Sequence, residues 1–291
     1  MTEMNEFYFF CLFFFVYSFL GWYSEVAFAA WKEHCFINRG FLNGPICPIY
    51  GVGVSTVVWL LSPYKKNLLL LYITSILLVT TLEWLTGFVM EKIFHNKWWD
   101  YSDLPLNLNG YVCLPFSLMW GVACVLIVDF IHPAFQVILA YIPFPLGVVL
   151  LVLFGITMFI DLFVTASGIL KFNKNLEKMQ EIADELRQIS DQLGENIYSS
   201  TILAMEKPAE IKVSIAEKQD GLTEVFSNVS DEAKERIAVL ISHYKESVGN
   251  ITGIQKRIIR AFPRMQSLAH KEVLNDLRKK LRELDSSLRK D

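Results

Sequence analysis

Five carboxylates, Glu25, Glu83, Glu91, Asp129 and Asp161, lie within or at the ends of the most apolar stretches of the chain. An ionised side chain at the centre of a bilayer costs about 2.5–3.5 kcal/mol even on lenient insertion scales, so each needs a partner, a proton or a water-filled surround. The stretches themselves are Phe7 to Trp31, Ile46 to Leu61, Leu68 to Met90, Leu114 to Ile131 and Leu146 to Leu170. A helix needs about 20 such residues to cross. They predict an all-α, polytopic helical membrane domain of about five spans with a polar interior. The second run is short and carries Pro48, so a re-entrant element buried in protein is the alternative to a full span. Ala134 to Ile142, cut off by Pro143 and Pro145, is too short to cross and is expected at an interface.

Residues 1–170 hold six Lys or Arg and ten Asp or Glu, whereas residues 171–291 hold twenty-one and twenty. Charge density rises about threefold at the join, which divides the chain into a transmembrane domain, 1–170, and a charged helical domain, 171–291. Glu3 and Glu6 stand where a signal peptide would carry basic residues, and the first apolar run is too long for one, so it is expected to remain as an anchor. With the N-terminus outside, Lys32, Arg39, Lys92, Lys97, Lys171 and Lys174 face the cytoplasm and only Lys65 and Lys66 do not, which favours a multi-pass cell-membrane protein oriented N-out, C-in. The five cysteines, Cys11, Cys35, Cys47, Cys113 and Cys124, form no CxxC pair. No disulfide framework, metal site or cofactor is expected from them.

Sliding the chain by 66 residues places Gly21, Glu25, Phe28, Asn43, Gly44 and Cys47 on Gly87, Glu91, Phe94, Asn109, Gly110 and Cys113. Each half reads as a GxxxE helix end, a loop, then NGxxC opening the next run. This order suggests a parallel two-span repeat about an axis along the membrane normal, with a site at the repeat interface. Helical spacing then groups the polar residues. Thr80, Glu83, Gly87 and Glu91 form one stripe, Ser18, Gly21 and Glu25 a second, and Thr157, Asp161, Thr165 and Gly168 a third. The plain alternative is that these stripes only hold helices together.

Two loops carry the richest chemistry. In NRGFLNGPICPIYG, Asn38 to Gly51, Arg39 is the natural counter-ion for Glu25 or Glu91. In KWWDYSDLPLNLNGYVCLP, Lys97 to Pro115, Trp98, Trp99 and Tyr101 form either an interfacial aromatic belt or a folded cap over a polar cavity. In the second case Asp100, Asn107, Asn109 and Asn43 line the cavity, and Tyr50, Ser117 and Trp120 face it from the adjoining runs.

GWYSE at Gly21 to Glu25, NRGFLNGPICPIYGVG at Asn38 to Gly53, LEWLTGFVMEKIF at Leu82 to Phe94, WWDYSDLPLNLNGYVCL at Trp98 to Leu114 and SLMWG at Ser117 to Gly121 come in one order and spacing. Together, over about residues 7–155, they resemble the bacterial ABC-transporter type IV family, also called the CmpB family. The resemblance implies a permease-type protein of the bacterial inner membrane, with motif residues at Glu25, Arg39, Pro45, Tyr50, Glu83, Glu91, Trp99, Asp100, Tyr101, Asn107, Gly110 and Trp120. The chain has no GxxxxGK[ST] phosphate loop, so an ATPase would have to be a separate subunit. Five spans are few for a complete pathway, so a permease reading also requires a homo-oligomer or a heteromer.

In the tail, Leu176, Met179, Ala183, Leu186, Ser190, Leu193 and Ile197 follow coiled-coil spacing, the alternative being a helix folded back on its own tail. Ile237, Leu240, Tyr244, Val248 and Ile251 offer a second apolar face. Lys256 to Arg264, with Arg257, Arg260 and Arg264 beside Ile258, Ile259 and Phe262, suits either anionic lipid or a solvated face. Acids and bases nearly balance, which disfavours nucleic acid. Three classes remain: a permease-like subunit with Glu25, Arg39, Glu83, Glu91 and Asp161 as an intramembrane polar site, a membrane scaffold or sensor recruiting a partner through its tail, and a head-group enzyme. The last is the least supported, since no nucleophile is paired with a histidine and no metal cluster is present in the sequence, so no catalytic role is expected.

Overall fold

A computed structural model of the protein describes residues 3–206 and 231–288. Helix α1 runs from Glu3 to Glu33, α2 from Pro48 to Leu61 and α3 from Leu68 to Phe94. Three two-residue strands follow, β1 (Asn96–Lys97), β2 (Asn107–Leu108) and β3 (Val112–Cys113). Helices α4 (Leu114–Leu126) and α5 (His132–Ala140) are joined through a π-helical turn at Ile127–Ile131. Helix α6 is continuous from Phe144 to Glu206, and the tail adds α7 (Asp231–Gly249), α8 (Gly253–Ala261), β4 (Gln266–Ser267) and α9 (Lys271–Leu288). The fold is an all-α polytopic membrane protein.

Among the described residues, four helices are long and apolar enough to cross a membrane: Asn5–Glu33, Leu68–Phe94, Leu114–Ala140 and Phe144–Gln192. The second apolar run is helical but only 14 residues long, about 21 Å against a hydrocarbon core of about 30 Å. Pro48 opens α2 at its first position, where its missing N–H is no loss. The expectation of a separate interfacial piece at Ala134 to Ile142 is corrected. Pro133 falls in the first turn of α5, directly after the π-turn, and the wider turn lets the chain carry the proline without breaking the helix.

The chain divides into two compact units, one of residues 1–172 and 252–271, the other of 173–251 and 272–291. Within the first, α1 packs on α2, α3 on α4 and α2 on α3. The core between them is Tyr8, Leu12, Phe13, Tyr17, Val57, Val58, Leu61, Leu71, Cys124, Val128 and Leu139. The two halves of the 66-residue echo fold alike: Cys47 and Cys113 each precede a helix with proline in its first turn, and each such helix packs on the long helix before it. Both echoed glycines lie under a tyrosine ring. A Cβ on Gly21 would overlap the Tyr50 ring, and one on Gly87 would come within 2.9 Å of Tyr111.

In the second unit, Leu176 and Met179 of the heptad seam are fully buried, as are Leu240 of α7 and Leu274 and Leu277 of α9. Asn175 donates to the Ser247 carbonyl at 3.0 Å, Arg236 pairs with Glu185 at 2.6 Å, and the Tyr244 hydroxyl donates to Asp276 at 2.7 Å. The seam thus begins inside a helical bundle of the chain's own tail. Ser190 is exposed, and the side chains of Leu193 and Ile197 lie outside the described residues.

The glycine contacts give a stability test. Gly21→Val should lower the unfolding temperature of the detergent-solubilised protein, with an overpacking cost of about 1–3 kcal/mol. Gly155→Ala, inside α6 with nothing within 4 Å of the new carbon, should not lower it.

Candidate functional site

The loops after α1 and α3 meet at one end of the membrane bundle. The Phe41 ring lies 5.6 Å from Phe94 and 5.2 Å from Trp98, and Tyr50 meets Trp120 edge-on at 5.8 Å. Under this meeting point sits Glu25. Its carboxylate accepts the Tyr50 hydroxyl at 2.6 Å and pairs with Arg39 Nε at 3.5 Å. Arg39 is placed there because α1 runs eight residues beyond Glu25 and the loop then doubles back, a turn helped by His34 in the left-handed region (φ 53°). Of the two glutamates in question, Glu25 receives the guanidinium. Glu91 lies instead within electrostatic reach of Tyr111, whose phenol is pushed up to about 12 by burial first and by this carboxylate next.

Asp161 is the second centre. It accepts the Asn43 backbone N–H at 3.1 Å, the Asn43 side-chain amide at 2.8 Å, the Gly44 N–H at 2.7 Å and the Thr165 hydroxyl at 3.1 Å. Asn43 also donates to Thr165 at 2.8 Å. Four donors on one carboxylate resolve the energetic difficulty of an acid in an apolar helix, because the charge is hydrogen-bonded rather than bare. Asp161 therefore fastens the first loop to α6 instead of standing open beside Glu25.

Glu83 is the exception. Its Oε2 is buried and has no hydrogen-bond partner among the described residues, and the same holds for Thr80 Oγ1 and Trp84 Nε1 on the same face of α3. Tyr50 and Tyr101 both lie within electrostatic reach of Glu25 and Glu83. Burial first, and these two carboxylates next, hold the Tyr101 phenol well above its ordinary value.

The second loop is built largely from its own polar residues. Asp100 pairs with Lys97 at 2.8 Å and accepts the Ser102 hydroxyl at 2.6 Å and its N–H at 3.0 Å. Although burial opposes it, these contacts hold the carboxyl below its usual range. Gly110 (φ 70°) closes the turn, where any side chain would strike Asp100, Lys97 and Ser102. Asn107 donates to the Ser102 and Leu104 carbonyls at 3.1 and 2.9 Å and accepts from Gly110 N–H at 3.3 Å. Asn107 and Asn109 are exposed, so they shape the loop from outside rather than line its interior. Trp98 is buried among Phe41, Phe94 and Phe262, which removes it from any interfacial belt. Trp99 Nε1 donates to the Tyr111 carbonyl at 2.7 Å, Tyr101 stacks on Phe116 at 4.9 Å, and Ser117 is buried on α4.

Arg257, on α8, has no place in the sequence-level site. Its guanidinium donates to the Gly40 carbonyl at 2.7 Å, the Phe41 carbonyl at 2.8 Å and Asn43 Oδ1 at 3.1 Å. A readable signal precedes it: Thr252 and Gln255 form a capping box, a helix start that fixes which face of α8 points inward. Cys47, between Glu25 and Arg257, is buried, and its thiol is pushed up to about 12 by that burial and by the Glu25 charge. No group of residues suited to a metal occurs among the described residues.

The Glu25–Arg39 pair sits at partial exposure, where losing one partner is worse than losing both. Arg39→Gln should destabilise the solubilised protein by about 1–2 kcal/mol. Adding Glu25→Gln should recover part of that loss, a positive coupling in a double-mutant cycle of thermal unfolding.

A family profile described as "Putative ABC-transporter type IV" matches residues 12–166, from the first third of α1 to just beyond Asp161. Comparison with curated proteins and with solved structures returned no match. The matched segment spans more than half of the chain and contains Glu25, Arg39, Asn43, Tyr50, Glu83, Glu91, Asp100 and Asp161. The chain belongs to the ABC-transporter type IV (CmpB) family of membrane proteins.

Proposed function

We propose that this protein is the permease-like subunit of a transporter, with Glu83 as the ligand-binding acid of an intramembrane polar site and Glu25, Arg39, Tyr50 and Tyr101 as its wall. The observation that carries the reading is the buried, unpartnered Glu83 Oε2, with Thr80 and Trp84 beside it. Buried polar atoms in folded proteins are nearly always paired, so three orphans on one helix face need an explanation. A carboxylate oxygen at membrane depth with no internal donor is suited to a proton or a small cationic group. Glu25 is already paired with Arg39 and Tyr50, and Asp161 with four donors, so of these three acids Glu83 is the one with capacity to exchange. The protein's role on this reading is binding and passage rather than catalysis.

Energy for active transport would come from a separate ATPase, since the chain carries no phosphate loop. Four spanning helices are few to enclose a path, which favours a homo-oligomer or heteromer. The basic loops and the tail lie on the cytoplasmic side of a bacterial cell membrane in this scheme, by the excess of Lys and Arg there. A scaffold reading is favoured by one observation, the tail bundle built on α6, α7 and α9, which has the form of a recruitment module.

Two measurements separate these readings. Glu83→Gln is expected to reduce transport in proteoliposomes at least tenfold while membrane abundance and co-purifying partners stay unchanged. Full retention of transport would remove Glu83 from the site. Crosslinking from native membranes through a tag at Asp291, read by mass spectrometry, is expected to recover an ATPase or a second permease chain. Recovery of only this chain, or of a cytoplasmic protein unconnected with transport, would favour the scaffold.

A further inference from the structure

We infer that the tail segment 252–271 is a latch on the carboxylate site and that Arg257 is its positioning residue. The segment returns from the tail to the membrane unit and touches both loops at once. On the first loop, Arg257 takes three acceptors, the carbonyls of Gly40 and Phe41 and the side chain of Asn43. On the second, β4 pairs antiparallel with β1, Leu268 N–H donates to the His95 carbonyl at 3.2 Å, and the Phe262 ring lies 5.1 Å from Trp98. Gln255 donates to the Gly168 carbonyl at 3.2 Å and so fixes α8 to α6 as well.

The consequence for the site follows from shared atoms. Asn43 is held from one side by Asp161 and Thr165 and from the other by Arg257. Four residues before it, Arg39 reaches Glu25, and four residues after it Cys47 N–H donates to the Ser18 carbonyl at 3.0 Å. Releasing Arg257 frees one of the two anchors of a loop whose own cation neutralises Glu25. The guanidinium is half-buried and gives its donors to two loop carbonyls and to Asn43 Oδ1, so its removal leaves acceptors unpaired. In the chain the segment follows α7, which ends at Gly249, and leads into α9, which begins at Lys271. Ile258, Ile259, Ala261 and Met265 are buried, so the apolar side of α8 is committed to this docking rather than to lipid. The inference deepens the reading of the Glu25 and Glu83 site and rests on it for its meaning, though not for its test.

Cys47 is the reporter, since it is buried at the base of the latched loop. In full-length protein carrying Cys47 as its single cysteine, solubilised in detergent, a hydrophilic maleimide should label Arg257→Gln at least tenfold faster than the parent. Arg257→Lys, which keeps the charge without the fork, should fall between them. Asp161→Asn, which weakens the opposite anchor, should also speed labelling. A parallel protein carrying Cys124 alone, buried within the helix bundle, should stay protected in all of these variants. Unchanged Cys47 labelling in Arg257→Gln would overturn the latch, and so would equal acceleration at Cys124, which would mean general loosening. Glu83→Gln should leave Cys47 labelling at the parental rate. Loss of transport there without change in labelling bears on the site, and altered labelling in Arg257→Gln bears on the latch.

Discussion

One asparagine is held by an acid and by a base. Asn43 gives its backbone and side-chain N–H groups to Asp161 and its side-chain oxygen to Arg257. Much of the loop end of the membrane unit depends on this junction. It brings α6 against the loop after α1, and it sets the position from which Arg39 reaches Glu25 and Cys47 opens α2. The physical constraint behind it is the cost of an ionised group among apolar helices. The chain meets that cost with its own loop backbone, a donor set that needs no second charge at the same depth.

Glu25 and Asp161 are compensated by different devices, a guanidinium with a phenol and a ring of amides and a hydroxyl, and Glu91 lies within electrostatic reach of the Tyr111 phenol. Glu83 has one uncompensated oxygen. The contrast sets Glu83 apart from these three acids and is the basis of the proposed role. All four lie on helices of the segment shared with the family.

Long apolar runs and charge density were enough to read the helices, the four full-length crossings among them and the all-α membrane class, because burial in lipid leaves a direct imprint on composition. That Arg39 lies beside a glutamate was legible from its charge at the end of an apolar run, but the choice of Glu25 over Glu91 was not. Three other things were not. The π-turn before Pro133 hides a helix continuation behind a residue that normally ends one. Asn107 and Asn109 look like lining residues in sequence, yet the left-handed turn at Asn109 and Gly110 points the loop's hydrogen bonds inward on itself. Arg257 lies more than two hundred residues from the loop it binds, and no local pattern encodes that pairing, only the capping box that starts its helix.

The central claim is that Asp161 and Asn43 join α6 to the first loop at membrane depth, and a disulfide measures it most directly. Asn43 Nδ2 lies 2.8 Å from Thr165 Oγ1, so the two side chains are in direct contact. Cysteines introduced at these two positions, in a background without the native five, should crosslink on mild oxidation in native membranes, whereas Asn43 with Phe159, on an exposed face of α6, should not. Efficient Asn43–Thr165 crosslinking is the predicted result. Its absence, or equal crosslinking of the Phe159 pair, would contradict the account.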